Sequence, residues 1–119
     1  MTAAYNDGYR DGQGEGIMKR QALTDGSGRW FDVDSVEEFT EDTRWDGHNR
    51  SSCATGSQWE HETLYRTKGG LWVLHHWSQW QGTQATWVVY TAERAAVWLS
   101  LNGYDHPAVA TQMAALEIK

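Results

Sequence analysis

The sequence predicts an α+β domain in which an antiparallel β-meander of three or four strands carries C-terminal helices packed on one face. Aromatic and β-branched runs separated by glycine turns fill residues 58–91, and a helical stripe of alanine, valine and leucine follows them. A chain of 119 residues has room for one buried core. Strands followed by helices are typical of an antiparallel sheet that buries one face against those helices.

Residues 1–28 are polar and rich in glycine, and we expect them to form a flexible or helical N-terminal segment ahead of a single domain at residues 29–119. The helical alternative depends on Gly8, Gly12 and Gly16, which recur every four residues. Because an interior glycine costs a helix about 1 kcal/mol relative to alanine, that helix would need a surface to dock on.

The first elements of the domain are predicted to be a strand and a short helix. Residues 29–33 carry aromatic and β-branched side chains after a glycine-rich turn, which indicates a strand. Asp34 or Ser35 would then cap a helix that ends near Asp42, because acidic residues follow in its first turn. Residues 43–57 show little apolar periodicity and predict a long loop.

A β-hairpin and a third strand form the clearest part of the pattern. Residues 58–67 and 71–80 flank the turn Lys68-Gly69-Gly70. Residues 85–91 supply a further aromatic and β-branched run that should pair with the hairpin.

Two C-terminal helices complete the predicted fold. Thr91 is expected to cap the first, whose apolar stripe ends at Asn102-Gly103, and Pro107 opens the second, which we expect to continue to the C-terminus. The strand from Leu71 is partly apolar on both sides. Either the loop and the N-terminal segment cover the second face of the sheet, or aromatic surface is left there for a partner.

The charge of the chain excludes some partners and favours others. The formal net charge of -6 argues against nonspecific binding to nucleic acid or to anionic membranes, which rely on excess lysine and arginine. In one stretch Arg44 is the only basic residue among seven acidic ones: Asp32, Asp34, Glu37, Glu38, Glu41, Asp42 and Asp46. This stretch is interpreted either as the solvated face of a helix or as a docking patch for a basic partner.

Two features predict a cytoplasmic protein. No window approaches the ~20 apolar residues that a membrane span needs, and the first residues lack the basic-then-apolar layout of a signal peptide. Cys53 is the one cysteine, so no internal disulfide can form, which suits a reducing compartment.

Five side chains are candidates for metal binding or catalysis: His48, Cys53, His61, His75 and His76. Their spacing lacks the close ligand pairs of a structural zinc site, and adjacent strand residues such as His75 and His76 point to opposite faces. Glu60 and Glu62 could join a histidine across the hairpin in acid-base chemistry. We nevertheless expect no metal, no cofactor and no catalytic residue.

The chain contains eight tryptophans, a large number for its length. Trp87 and Trp98 lie in apolar patterns and are assigned to packing. Four others flank the predicted loop or the end of the hairpin beside Gln79, where an indole ring can contact a partner: Trp45, Trp59, Trp77 and Trp80.

Four motifs carry a family resemblance. They are Arg-Trp-Phe-Asp at 29–32, Thr-Gly-Ser-Gln-Trp at 55–59, Leu-Tyr-Arg-Thr at 64–67 and Trp-Val-Leu-His-His-Trp-Ser-Gln-Trp-Gln-Gly at 72–82. With them, residues 26–107 resemble a widespread group of small bacterial and phage accessory proteins that has no activity to carry over. Small acidic proteins of this kind in phage and mobile elements include blockers of host defence complexes, so the resemblance implies an inhibitor by analogy.

Together these features predict a noncatalytic protein-binding module, such as an anti-CRISPR-like inhibitor, that binds a protein with a basic surface. The residues expected to contact the partner are Asp34, Glu37, Glu38, Glu41, Asp42, Trp45, Trp59, Trp77, Gln79 and Trp80. One alternative is a small-ligand-binding protein or small enzyme with a pocket of Trp and His side chains on the hairpin face. The other is a structural protein that associates with itself, for example as a homodimer.

Overall fold

A computed structural model describes residues 19–119 and confirms the predicted α+β class. Within these residues every strand pair is antiparallel. The elements, in chain order, are β1 (Arg20–Ala22), β2 (Trp30–Asp32), β3 (Glu37–Thr40), β4 (Thr43–Trp45), β5 (Arg50–Ser52), β6 (Glu60–Arg66), β7 (Trp72–Ser78), β8 (Thr86–Tyr90), α1 (Ala92–Leu101), a 3₁₀ turn (Pro107–Val109) and α2 (Ala110–Ala114).

The central sheet has the order β3-β6-β7-β8. The predicted hairpin and third strand are confirmed as β6, β7 and β8, with Leu64 opposite Leu74 and Leu74 opposite Val88. The predicted turn closes the hairpin, and Gly70 has a φ of 89°, a conformation that other residues rarely adopt.

Helix α1 covers one face of the central sheet, as predicted. Thr91 caps α1, since its Oγ1 accepts a hydrogen bond from Arg94 N at 3.1 Å, and Asn102 ends it. The second helix is shorter than predicted, because α2 ends at Ala114. The buried side chains between the sheet and the helices are Leu64, Trp72, Leu74, Ala95, Ala96, Trp98, Leu99 and Val109.

The β1–β2 hairpin covers part of the second face of the sheet. A smaller core forms there from Phe31, Tyr65 and Val73. Thr24 joins this hairpin to the edge of β8, because its N–H donates to Trp87 O at 2.8 Å and its Oγ1 accepts from Trp87 N at 2.8 Å. The second face was predicted to be either covered or left as aromatic surface, and each prediction fits one end of it. The end near Tyr65 is covered, whereas indole surface is exposed at the end near Trp59.

The structured domain includes β1, which lies within the predicted N-terminal segment at residues 1–28. Its pairing with β2 places residues 20–22 against residues 30–32 of the predicted domain. The alternative of a glycine-faced helix at Gly8, Gly12 and Gly16 lies outside the described residues.

The predicted short helix after residue 33 is wrong, and so is the predicted long loop. Residues 37–40 form β3, because pairing with β6 satisfies its backbone and places Phe39 opposite Leu64 in the core. Residues 43–52 form the β4–β5 hairpin, whose turn is fixed by Asp46: its Oδ1 accepts from His48 N at 2.8 Å and from Asn49 N at 2.7 Å. The acidic residues of the first segment resemble the start of a helix, and the polar residues of the second resemble a loop. Backbone pairing with a neighbouring strand makes both segments β-strands instead.

Two leucines of α1 test how much the helix contributes to the core. Leu99 is fully buried and Leu101 is exposed. We expect Leu99→Ala to lower the free energy of unfolding by about 2–5 kcal/mol, and the control Leu101→Ala by less than about 0.5 kcal/mol. Urea unfolding monitored by circular dichroism measures both; similar losses in the two variants would contradict the packing described here.

Candidate functional site

Two exposed tryptophans meet at the open end of the β6–β7 hairpin. The ring centroids of Trp59 and Trp80 are 5.2 Å apart with the planes tilted by 47°. Trp59 is 43% exposed and Trp80 58% exposed. Hydrogen bonds hold the backbone of both residues, since Gln79 N donates to the carbonyl of Trp59 at 2.9 Å and Trp80 N donates to the side-chain Oγ of Ser78 at 3.0 Å. Trp59, Trp77, Gln79 and Trp80 are called the hairpin-end patch below.

A stack of aromatic rings runs from this patch into the smaller core. His75 lies between Trp77 and Trp87, at centroid distances of 4.7 Å and 3.7 Å, and Trp87 stacks on Tyr65 at 5.6 Å. Burial, and secondly the charge of neighbouring His76, lowers the pKa of His75. The His75 ring is therefore part of the stack, and it contacts Trp77 on one side.

Trp45 is exposed on a hairpin that is separate from the central sheet. The β4–β5 hairpin, residues 43–52, is called the finger; Trp45 is 59% exposed and lies directly opposite Arg50. Arg50 Nη1 donates to Thr43 Oγ1 at 3.1 Å. Ser52 is the one buried residue of the finger, so the finger is held at its base rather than by a core of its own.

Glu41 holds that base to the central sheet. Its Oε1 accepts from Ser52 Oγ at 2.6 Å and from Glu62 N at 2.8 Å, and its Oε2 lies 2.6 Å from His61 Nδ1. The hydrogen bond from Glu62 N lies one position beyond the last residue pair of β3 and β6, and its acceptor is the Glu41 side chain instead of a backbone carbonyl. Glu41, predicted to contact a partner, is therefore an internal anchor.

The predicted acidic residues do not share one surface. Alternation along β3 directs Glu37 and Glu38 to opposite faces, and Glu37 Oε1 lies 2.9 Å from His106 Nε2. A helix would have placed these carboxylates together, and the strand separates them. Of the five predicted acidic contacts, Asp34, Glu38 and Asp42 remain exposed without an ion pair among the described residues.

Glu60, Glu62 and His76 do come together, as the acid-base hypothesis required. His76 Nδ1 lies 2.9 Å from Glu62 Oε2, and His76 Nε2 lies 3.2 Å from Glu60 Oε1. Trp98 packs in the core and also forms a hydrogen bond, because its Nε1 donates to Glu62 Oε1 at 3.0 Å. Sequence reasoning did not choose His76 over His75; counting residues outward from the turn at Gly69 would have paired Glu62 with His76.

Residues 19–119 contain no group of three or more His, Cys, Asp or Glu side chains that could hold a metal ion. A groove of about 600 Å³ lies between α1 and the C-terminal turns, and its lining, which includes Asp105, His106, Met113 and Leu116, contains no tryptophan.

Comparison with known proteins found no relative: no family model, no curated protein and no solved structure matches the chain. Among the helices of residues 19–119, none is both long and apolar enough to cross a membrane.

Replacing Glu41 tests its role as the anchor of the finger. We expect Glu41→Gln to lower the free energy of unfolding by about 1–3 kcal/mol, because the buried partners of the carboxylate lose hydrogen bonds. The exposed Glu38 of β3 supplies the matched control, and Glu38→Gln should change stability by less than about 0.5 kcal/mol. Urea unfolding at constant pH compares them, and equal effects would show that Glu41 anchors nothing.

The stack around His75 predicts a pH dependence of stability. Because the pKa of His75 is lowered in the folded state, the unfolded chain binds this proton more readily, and stability falls as the pH falls below the ordinary value of 6.5. His75→Phe keeps a ring in the stack without a titrating group. We expect its stability to fall less than that of the wild type between about pH 6.5 and about pH 5, whereas His48→Gln should keep the wild-type slope. Urea midpoints across this range measure the difference, and parallel slopes for all three proteins would refute it.

Proposed function

We propose that this chain is a noncatalytic protein-binding module whose main contact surface is the hairpin-end patch. The observation that carries the proposal is the pair of exposed indoles, Trp59 and Trp80, whose ring centroids lie 5.2 Å apart and whose backbone N–H and C=O groups are hydrogen-bonded within the hairpin end. Tryptophan is enriched among the residues that dominate protein interfaces, because one ring buries a large area with little loss of side-chain entropy.

The finger offers a second surface that would contact the same partner. Trp45 is exposed beside Arg50, and tryptophan and arginine are the residue types enriched at interface hot spots. A two-stranded hairpin without a core is marginal by itself, so the finger depends on its anchor at Glu41. A segment that contributes so little to the core is better explained by contact with a partner.

The charge of the chain favours a partner with a basic surface. The net charge is -6, and Asp34, Glu38 and Asp42 remain exposed. Complementary charge speeds association and disfavours wrong partners. A host defence complex with a basic nucleic-acid-binding surface fits this chemistry, so an anti-CRISPR-like inhibitor from a phage or mobile element, acting in the cytoplasm, is the specific form of the proposal.

A small-ligand pocket or small enzyme draws less support. That alternative requires a concave pocket lined by Trp59, Trp77 and His75 or His76, and the His75 ring is instead stacked with Trp87 at 3.7 Å and with Trp77 at 4.7 Å. His76 retains contact with two carboxylates, which leaves no ring nitrogen free for a substrate in this arrangement.

A pull-down with matched tryptophan variants tests the proposal. Tagged wild type, Trp59→Ala/Trp80→Ala, Trp45→Ala and Trp30→Ala proteins are incubated with a bacterial lysate, and bound proteins are quantified by mass spectrometry. Trp30 is the control, because it is 44% exposed but lies on β2 under the guanidinium of Arg20.

We expect the double variant to weaken capture of one complex by about 30-fold, the effect of losing a hot spot worth about 2 kcal/mol. Trp45→Ala should weaken the same capture to a smaller extent, and Trp30→Ala should leave it within about twofold. Raising the salt concentration should weaken it as well, because screening reduces charge complementarity. If every protein captured by the wild type is captured equally by the double variant, the patch is not the binding surface.

A further inference from the structure

The open end of the β6–β7 hairpin is built from segments that carry no lysine or arginine. Residues 51–65 and 69–93, which include both sides of this end, contain neither residue type. Arg66 is the basic residue of β6, and it lies six positions from Glu60, which is roughly 20 Å along a strand. Because the Debye length is only about 8 Å at physiological salt, the charge of Arg66 is screened at the open end.

The same end of the hairpin does carry carboxylates. Glu60 directly follows Trp59 and its side chain is 48% exposed, whereas Glu62 is 14% exposed and accepts a hydrogen bond from Trp98. Consecutive side chains of a strand point to opposite faces, so Glu60 acts on the indole of Trp59 through the electrostatic field and not by contact. The charges around the hairpin-end patch therefore favour a cation over an anion.

The geometry of the two exposed indoles decides where a ligand can lie. The ring centroids of Trp59 and Trp80 are 5.2 Å apart and the planes are tilted by 47°. A planar group between two rings needs roughly 3.5 Å on each side, or about 7 Å in all, so no such group fits between these rings. A ligand must instead lie on the outer ring faces, which are open to solvent because the two residues are 43% and 58% exposed.

Aromatic rings elsewhere in the chain already lie under arginine side chains. The guanidinium carbon of Arg20 is 4.2 Å from the ring centroid of Trp30, and that of Arg94 is 4.2 Å from the ring centroid of Tyr90. The quadrupole of an aromatic ring attracts a cation placed over its face. Within residues 19–119 no arginine or lysine lies over a ring of the hairpin-end patch, so its indole faces can accept a cation from outside the chain.

Two exposed glutamines favour arginine over lysine as that cation. Gln79 and Gln81 directly precede and follow Trp80 in the chain. A guanidinium that lies flat on an indole keeps its N–H groups in its own plane, where the amide oxygens of neighbouring glutamines can accept from them. A lysine ammonium is more strongly hydrated and has no planar face to stack, so it matches this surface less well.

We propose that the hairpin-end patch binds an arginine side chain of the protein partner, whose guanidinium stacks on an outer face of Trp59 or Trp80 and donates to Gln79 and Gln81. This inference rests on the proposed function, because it names the chemistry that the partner presents to the same surface. Charge complementarity supports it, since the open end of the hairpin combines exposed indoles with carboxylates in a chain of net charge -6.

Peptide titrations of the full chain, followed by NMR spectroscopy, test this assignment. The probe is a short glycine- and serine-rich peptide that carries arginine, and in matched peptides citrulline, which is uncharged but similar in shape, or lysine replaces the arginine. The indole Nε1–H signals of Trp59 and Trp80 and the backbone amide signal of Gln79 report binding. We expect the citrulline peptide to bind about fivefold more weakly than the arginine peptide, as for loss of a cation–π contact at an exposed site. Added salt should weaken binding of the arginine peptide but not of the citrulline peptide.

Two variants make this experiment specific. Trp59→Leu/Trp80→Leu keeps apolar side chains without ring faces, and it should lose the preference for arginine over citrulline, with the Gln79 amide as the reporter. Trp30→Leu is the control, because the Trp30 ring already lies under Arg20, and it should leave both affinities within about twofold. Citrulline or lysine peptides that bind the wild type as tightly as the arginine peptide would overturn the assignment. Indole signals that move on dilution of the chain alone would also overturn it, because the ligand would then be a second copy.

The arginine site and the proposed function can fail separately. A preference for arginine that depends on Trp59 and Trp80 establishes the site even if the tryptophan variants capture the same lysate proteins as the wild type, a result that would contradict only the binding role. Conversely, tryptophan-dependent capture together with equal binding of the arginine and citrulline peptides would leave the protein-binding module standing and remove arginine from its interface.

Discussion

The turn at Gly69-Gly70 sets the pairing register of β6 and β7, and most of the structure depends on that register. Residues at equal distances from Gly69 lie opposite each other, so Leu64 meets Leu74 and Glu62 meets His76. Gly70 has a φ of 89°, and an added Cβ there would lie 3.3 Å from Arg66 Nη2. A slip by one residue would exchange the two faces of the hairpin and move the leucines out of the core.

The same register explains why the sheet has two unlike faces. One face joins α1 through the larger core, and the other meets the β1–β2 hairpin through Phe31, Tyr65 and Val73. Coverage of the second face stops short of the open end of the hairpin, where Trp59 is exposed. The exposed indoles therefore follow from the length of β6 and β7, which extend beyond what β1 and β2 can cover.

The sequence predicted those parts of the fold in which local pattern and tertiary pairing agree. The hairpin, β8 and α1 each combine a strong apolar pattern with a clear turn or cap, such as Thr91. The pattern failed at β3, where Glu37 and Glu38 resemble a helix start, because its strand state comes from pairing with β6, a contact distant in sequence. It also failed to show that Glu41 is internal, since its partners Ser52 and His61 are 11 and 20 residues away.

In the candidate site too, features that are local in sequence were predicted, and features that depend on contacts between distant residues were not. Composition and spacing singled out four tryptophans. Trp45, Trp59 and Trp80 are exposed, whereas Trp77 is half-buried in the aromatic stack. The contact of His76 with Glu62 was not predicted, because which histidine shares a face with Glu62 depends on the exact register of β6 and β7. The finger and the end of the hairpin are also the places where few buried contacts support the backbone, so they should open before the core does. Segments of low local stability can therefore adjust to a partner at small cost.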